Sequence, residues 1–198
     1  PVQMGFATKS KLAAVVSSGG GGGYLNPSKV QAGTSKRFKI LSDAPLESWC
    51  VWGEDPSGAC KPFRFADDPT PAQINEAMGG DYVRRMNREG TAPEAVKPGM
   101  SFFVYEYETA SVMLCEFTQK SLIKELLSIA SMEEYENLEQ WDFDLAREGS
   151  GLATEYTLRA VPAKKGEGPA IASAWEAAQA KGYSLDALLT GENPFGGS

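Results

Sequence analysis

Apolar and charged residues alternate clearly from Lys36 onward. Lys36-Arg37-Phe38-Lys39-Ile40-Leu41 has period two, which predicts a half-buried strand with Phe38 and Ile40 inward and Arg37 and Lys39 outward. Leu46 to Trp52 is a second β-prone run. Gly53 to Gly58 reads as a turn, and Cys60 to Phe65 as a third short strand. Pro62 has no N–H to give to a ladder and marks that strand as an edge. Ser101 to Glu108 and Ser111 to Thr118 predict a hairpin, although the intervening Thr109-Ala110 lacks the usual Gly or Asn. Gln119 to Ser131 is the strongest helix: Leu122, Ile123, Leu126, Leu127 and Ala130 share one face, and Thr118 stands where a cap belongs. Trp141 to Arg147, with Trp141, Phe143 and Leu145 inward, and Thr154 to Val161 form a closing hairpin around Glu148-Gly149-Ser150-Gly151.

Three stretches break this rhythm. Residues 1–35 read as a flexible basic arm containing a Gly/Ser linker, Ser17 to Gly23. That run is not a phosphate-binding loop, because Tyr24-Leu25-Asn26-Pro27 follows where Gly-Lys-Ser/Thr would be required. Residues 66–99 read as a mobile, partly helical insertion: turn residues, a short helix at Pro71 to Met78, a Gly79-Gly80 break and a resumption from Tyr82 to Arg88. After Pro162 come a linker, an Ala-rich helix from Ala170 to Ala180, a further turn or two from Tyr183 to Leu189, and a fraying end. The expected organisation is thus an arm (1–35), a β-rich core (36–162, with the insertion at 66–99) and a linker with a helical tail segment (163–198).

Composition narrows the chemistry. The 198 residues contain no histidine, so a His-based triad and a His-ligated metal are excluded, and three scattered cysteines do not make a structural zinc site. No cofactor or metal is expected. No apolar run approaches the ~20 residues that span a bilayer, and the opening residues lack the apolar core of a signal peptide. A cytoplasmic protein with reduced thiols is expected, without membrane contact. The net charge of −7 is uneven: residues 1–97 carry +2 and residues 98–198 carry −9, while residues 1–42 hold six bases and no acid. A basic opening on an acidic chain suits either contact with a polyanion or a solvated tail.

Strands, a helix and two further strands follow the order of an OB-fold, a five-stranded Greek-key barrel that binds oligonucleotides on one face. The expected class is therefore mainly β with α, extended by the insertion and the helical C-terminal segment. Phe38, Phe102, Phe117, Trp141 and Phe143 alternate as core residues do. Trp49, Trp52, Tyr105 and Tyr107 alternate with charge or flank turns, which leaves them between core and a base-stacking platform. Candidate contacts for a single strand are Lys36, Arg37, Lys39, Trp49, Trp52, Lys61, Phe63, Arg64, Tyr105 and Tyr107.

Several blocks resemble one family. Arg37-Phe38-Lys39-Ile40-Leu41-Ser42 and Lys61-Pro62-Phe63-Arg64-Phe65 look like the opening of bacteriophage single-stranded DNA-binding (helix-destabilising) proteins. Phe102 to Tyr107 with Leu114 to Ser121, and Trp141 to Leu145 with Arg147 to Thr157, are similar to their central and closing hairpins. The resemblance implies an OB-fold without catalysis that coats single strands with little sequence preference during phage-type DNA replication, recombination and repair, in the host cytoplasm. The family's zinc-containing members use Cys and His ligands that this chain does not have. Glu192-Asn193-Pro194-Phe195 is similar to the tail tips by which such proteins dock on replication or recombination partners. The arm, through Lys9 and Lys11, offers a contact with DNA or with a neighbouring protomer, hence self-association. Two other readings stay open: a metal-dependent nuclease using Asp142 and Asp144 or Asp67 and Asp68, although the place of Asp142 and Asp144 on the outer face of a strand suits solvated carboxylates, and a non-catalytic protein-interaction barrel.

Overall fold

The computed structural model describes residues 23–197; Lys9, Lys11 and most of the glycine run lie outside the described residues. The chain is mainly β with several helices. Its strands are β1 (Gly23–Leu25), β2 (Thr34–Ile40), β3 (Leu46–Glu54), β4 (Cys60–Phe65), β5 (Val83–Arg84), β6 (Lys97–Glu106), β7 (Ser111–Phe117), β8 (Trp141–Glu148) and β9 (Glu155–Pro162). The helices are α1 (Pro71–Met78), α2 (Lys120–Ala130), α3 (Gly168–Ala180) and α4 (Ala187–Thr190). All nine strands join one mixed sheet, hydrogen-bonded in the order β1-β7-β6-β2-β8-β9, with β3, β4 and β5 branching from β6. The ladder is open rather than a closed ring of five. β1 runs parallel to β7, and every other pairing is antiparallel.

The ten-residue β6 organises this sheet. β7 pairs along one of its edges, while β2 and β3 follow one another along the other, Ile40 opposite Val104 and Leu46 opposite Ser101. β6 begins four residues earlier than its apolar pattern suggests, because Pro98 and Gly99 read as breakers yet sit opposite Trp49 and Ser48. β4 pairs with β3 alone among the described residues, the edge position that Pro62 predicts.

Period two sends Phe38, Phe102, Val104, Phe117, Phe143, Leu145 and Leu158 to one face, where Leu122, Leu126 and Ile129 of α2 close the main core. The burial of Ile129 and the half-exposure of Leu127 place the buried stripe of α2 one step round from the predicted one. Gln119, not Thr118, precedes the first turn, and no side chain caps it.

The 66–99 insertion is ordered. Thr70 and Gln73 form a capping box on α1, Gly79 ends it in the left-handed region, and Ile74 and Met78 pack on Val51 with Phe63 and Phe65 alongside. Residues after Gly80 do not resume the helix. Val83–Arg84 pairs with β3, and the Arg85 N–H donates to the Trp52 carbonyl at 2.8 Å.

The C-terminal residues do not fray through Phe195. α3 and α4 cover the opposite face of β6 and β7, burying Phe103, Val112 and Leu114 against Ala178, Leu188 and Phe195. Tyr183 bridges to Phe195, and the Ser184 N–H donates to the Pro194 carbonyl at 2.9 Å. Among the described residues no helix is long and apolar enough to cross a membrane.

Candidate nucleic-acid interface

Arg37, Lys39, Tyr105 and Tyr107 leave the core face of β2 and β6 and its extension, but they do not form an open surface. Arg37, Lys39 and Tyr107 converge on Asp142, whose side chain is fully buried, and Tyr105 packs beside Tyr107. Asp142 Oδ1 accepts the Tyr107 hydroxyl at 2.9 Å and lies 3.2 Å from Lys39 Nζ. Its Oδ2 accepts Arg37 Nε at 3.0 Å and the Lys164 N–H at 3.1 Å. Three hydrogen bonds and the Lys39 ion pair thus engage both carboxylate oxygens. The same two cations also bond to carbonyls: Arg37 Nη2 to Pro162, Lys39 Nζ to Glu139 and Trp141.

This corrects two expectations. Lys39 is only 9% exposed rather than outward, and Asp142 is a buried counter-ion rather than a solvated carboxylate. A metal at Asp142 and Asp144 would find no open oxygen on Asp142, and Asp144 faces Arg159 at 3.6 Å. Among the described residues no three His, Cys, Asp or Glu side chains gather as a metal site. Burial, and then the hydrogen bond to Asp142, push the Tyr107 hydroxyl well above the ordinary tyrosine range.

Tyr105 is buried and meets Tyr107 edge-on at 5.4 Å, so its ring is closed to a base. Phe103, on the same face, lies under Trp175 and Tyr183 at 5.6 and 5.4 Å. Tyr107 remains half-buried, with Lys164 Nζ 4.7 Å from its ring centre and Arg37 at 5.8 Å. Lys36 pairs with Glu108 at the outer end of β2.

Arg64 is also committed. Its Nε and Nη2 form a two-pronged pair with Glu116 at 2.8 and 2.9 Å, and Ser101 donates to the same carboxylate at 3.0 Å. Burial opposes the charge on Arg64, but the Glu116 bonds outweigh it and hold the guanidinium more firmly protonated.

The remaining candidates gather where β3, β4 and β5 meet. The Arg85 guanidinium lies 4.8 Å from the Trp52 ring centre and pairs with Glu94 at 3.0 Å. Lys61 Nζ lies 4.8 Å from the ring centres of both Phe63 and Tyr82, which meet edge-on at 5.4 Å. Trp49 stands opposite Phe65 on the neighbouring strand. Trp49, Trp52, Phe63 and Tyr82 are all partly exposed, and Lys61 and Lys97 are exposed and form no ion pair among the described residues.

Of the ten candidates, Trp49, Trp52, Lys61, Phe63 and Arg64 all stand on β3 and β4, with Trp49, Lys61 and Phe63 on one face and Trp52 and Arg64 on the other. Arg37, Lys39, Tyr105 and Tyr107 lie in or beside the Asp142 network, whereas Lys36 alternates to the other face of β2 and pairs with Glu108. Tyr82 and Arg85 belong to the site but were hidden in sequence, because Tyr82 to Arg88 reads as helix. Their signal is composition: an aromatic with three arginines inside an insertion that must fold back on the sheet. A scan of protein-family models and searches of curated proteins and of solved structures return no match to this chain.

Proposed function

We propose that the chain binds single-stranded DNA with little sequence preference, on the surface where β3, β4 and β5 meet. One observation carries the reading: two cations stand over partly exposed aromatic rings around the same three strands, Lys61 on Phe63 and Tyr82 on one face and Arg85 on Trp52 on the other. Rings give bases of any identity a stacking surface worth about 1–3 kcal/mol each, and the adjacent cations meet the phosphates. Duplex DNA offers no exposed base faces to such a patch.

The same reading makes the sheet an elaborated OB-type fold, in which α2 between the central and closing hairpins takes the position of the OB helix. It also makes the protein a coating factor of phage-type replication, recombination and repair, as the resemblance implies. The exposed Lys97, opposite Cys50, adds a cation on the Trp52 face. The acidic remainder of the chain keeps binding local to the patch.

Equilibrium binding to poly(dT) and to duplex DNA over a range of salt tests the proposal. Preference for the single strand is expected, with log K falling by roughly 0.7 for each phosphate neutralised as log salt rises. Equal affinity for both polymers, or none at low salt, refutes it.

A further inference from the structure

A cleft of about 540 Å³ opens beside this patch, between the outer edge of β4 and the segment that carries α4. Lys61 and Phe63 line it as well as the patch, so the two are continuous. Tyr24 of β1 forms part of its wall. Tyr24 is 47% exposed, and its ring packs edge-on against Phe195 at 5.3 Å. A large aromatic already packed on one edge, with about half of the residue uncovered, loses little freedom when something stacks on it.

The cleft also contains a donor with unused capacity. The Arg64 side chain is only 9% exposed, and Glu116 takes its Nε and Nη2, while Nη1 has no hydrogen-bond partner among the described residues. Lys61 Nζ stands on the rim. Glu192 is the single acid among the residues that line the cleft, against two bases. An aromatic wall, a buried guanidinium with a spare N–H pair and a rim ammonium suit a base with its phosphate.

We propose that this cleft is a second nucleotide subsite. One base of a single strand lies on the Phe63–Tyr82 side of Lys61, and the strand then passes over Lys61 into the cleft. There the next base stacks on Tyr24, and its phosphate meets Arg64 Nη1 and Lys61. The inference rests on the single-strand reading above and adds a subsite walled by β1, β4 and the α4 segment, to which the insertion contributes only Ala77.

Oligo(dT) carrying 5-iodouracil, irradiated on the unmodified protein and followed by peptide mapping, provides the first test. Crosslinks are expected in the peptide holding Tyr24 as well as in those holding Trp52 and Tyr82. In parallel, Tyr24→Leu keeps apolar bulk against Phe195 but removes the stacking face, whereas Tyr24→Phe keeps the ring. Tyr24→Leu is expected to weaken oligo(dT) binding by about 5- to 150-fold, the range that corresponds to losing one stacked base. Tyr24→Phe should stay within about two-fold of the unmodified protein, and Glu192→Gln should tighten binding by removing the rim acid. Crosslinks confined to Trp52 and Tyr82, with Tyr24→Leu binding normally, overturn the cleft subsite and leave the single-strand reading standing. Absence of oligo(dT) binding by the unmodified protein overturns both. Should Tyr24→Leu not fold, the crosslink map on the unmodified protein decides alone.

Discussion

Replacing Asp142 with asparagine removes one negative charge from a site that holds two buried or half-buried cations. The side-chain amide would keep the shape of the carboxylate but turn one oxygen into an NH2. That group would face either Arg37 Nε and the Lys164 N–H, now 3.0 and 3.1 Å from Oδ2, or Lys39 and the Tyr107 hydroxyl. In both orientations donors meet donors, and Lys39, with its side chain only 11% exposed, keeps its charge without a counter-ion. Removing one partner from a buried pair costs about 3–5 kcal/mol. The Arg37 side chain is 30% exposed and can recover some hydration, which places the expected loss near the lower end, about 3 kcal/mol. Against a net stability of about 5–15 kcal/mol for a domain this is severe. In urea, with a slope of roughly 1–3 kcal/mol/M, the unfolding midpoint should fall by about 1–3 M. A cycle with Lys39→Met should show coupling above about 1 kcal/mol, because each loss already breaks the same contact. A loss below about 1 kcal/mol for Asp142→Asn would refute the role given to this network.

Burial pushes the Cys50 thiol up to about 11 and the Cys115 thiol well above its ordinary value, whereas Cys60 is exposed. A thiol-specific disulfide reagent at pH 8 should therefore label one cysteine quickly in the native protein and all three after denaturation; three fast thiols would contradict the packing. Because both buried thiols hold their protons more tightly folded than unfolded, their contribution to stability is complete below about pH 9. It is lost as pH rises through about 11, so the urea midpoint should decline over that interval and decline less in Cys50→Ala. Ala110 turns the β6–β7 hairpin at φ 51°, a strained angle for a residue with a Cβ, while the buried Glu106 carboxylate accepts the Glu108 and Thr109 N–H groups. Ala110→Gly should raise stability by about 0.5–1 kcal/mol in the same assay, and a loss would show that the turn does not rely on that angle.

The apolar periods carried much of this architecture. β2, β4, β7 and α1 fall where the alternation and the turn residues place them, and Pro62 marks an edge strand. The covered faces were much harder to read. Period two tells which side of a strand Lys39 and Asp142 occupy, but not that the segment after Pro162 lies across that side. Both charges therefore looked solvated. Lys39 and Asp142 sit more than a hundred positions apart, and only the β2–β8 register, with Phe38 opposite Phe143, brings them together. Phe195 similarly looked like the tip of a loose tail, since three or four apolar residues among glycines carry no period. Its partners, Tyr24 and Tyr183, come from both ends of the fold. Tyr82 and Arg85 were masked by a helical composition that the pairing with β3 overrides. At Gly149 the sequence was direct: a Cβ there would come within 2.2 Å of the Ala153 carbonyl oxygen, so the Gly-Ser-Gly turn tolerates nothing larger at its first position.

The placement of the strand on Trp52 is tested most directly by tryptophan fluorescence during a poly(dT) titration. Four tryptophans emit, and Trp141 and Trp175 lie away from the patch, against Tyr135 and Phe103. Trp52→Phe keeps a ring for the base while deleting the reporter, with affinity followed separately by the anisotropy of labelled oligo(dT). The account predicts that single strands quench the unmodified protein, that Trp52→Phe loses part of the quench while binding within a few-fold of normal, and that Trp49→Phe with Trp52→Phe loses nearly all of it. A full quench retained in Trp52→Phe, or binding without any quench in the unmodified protein, would contradict it.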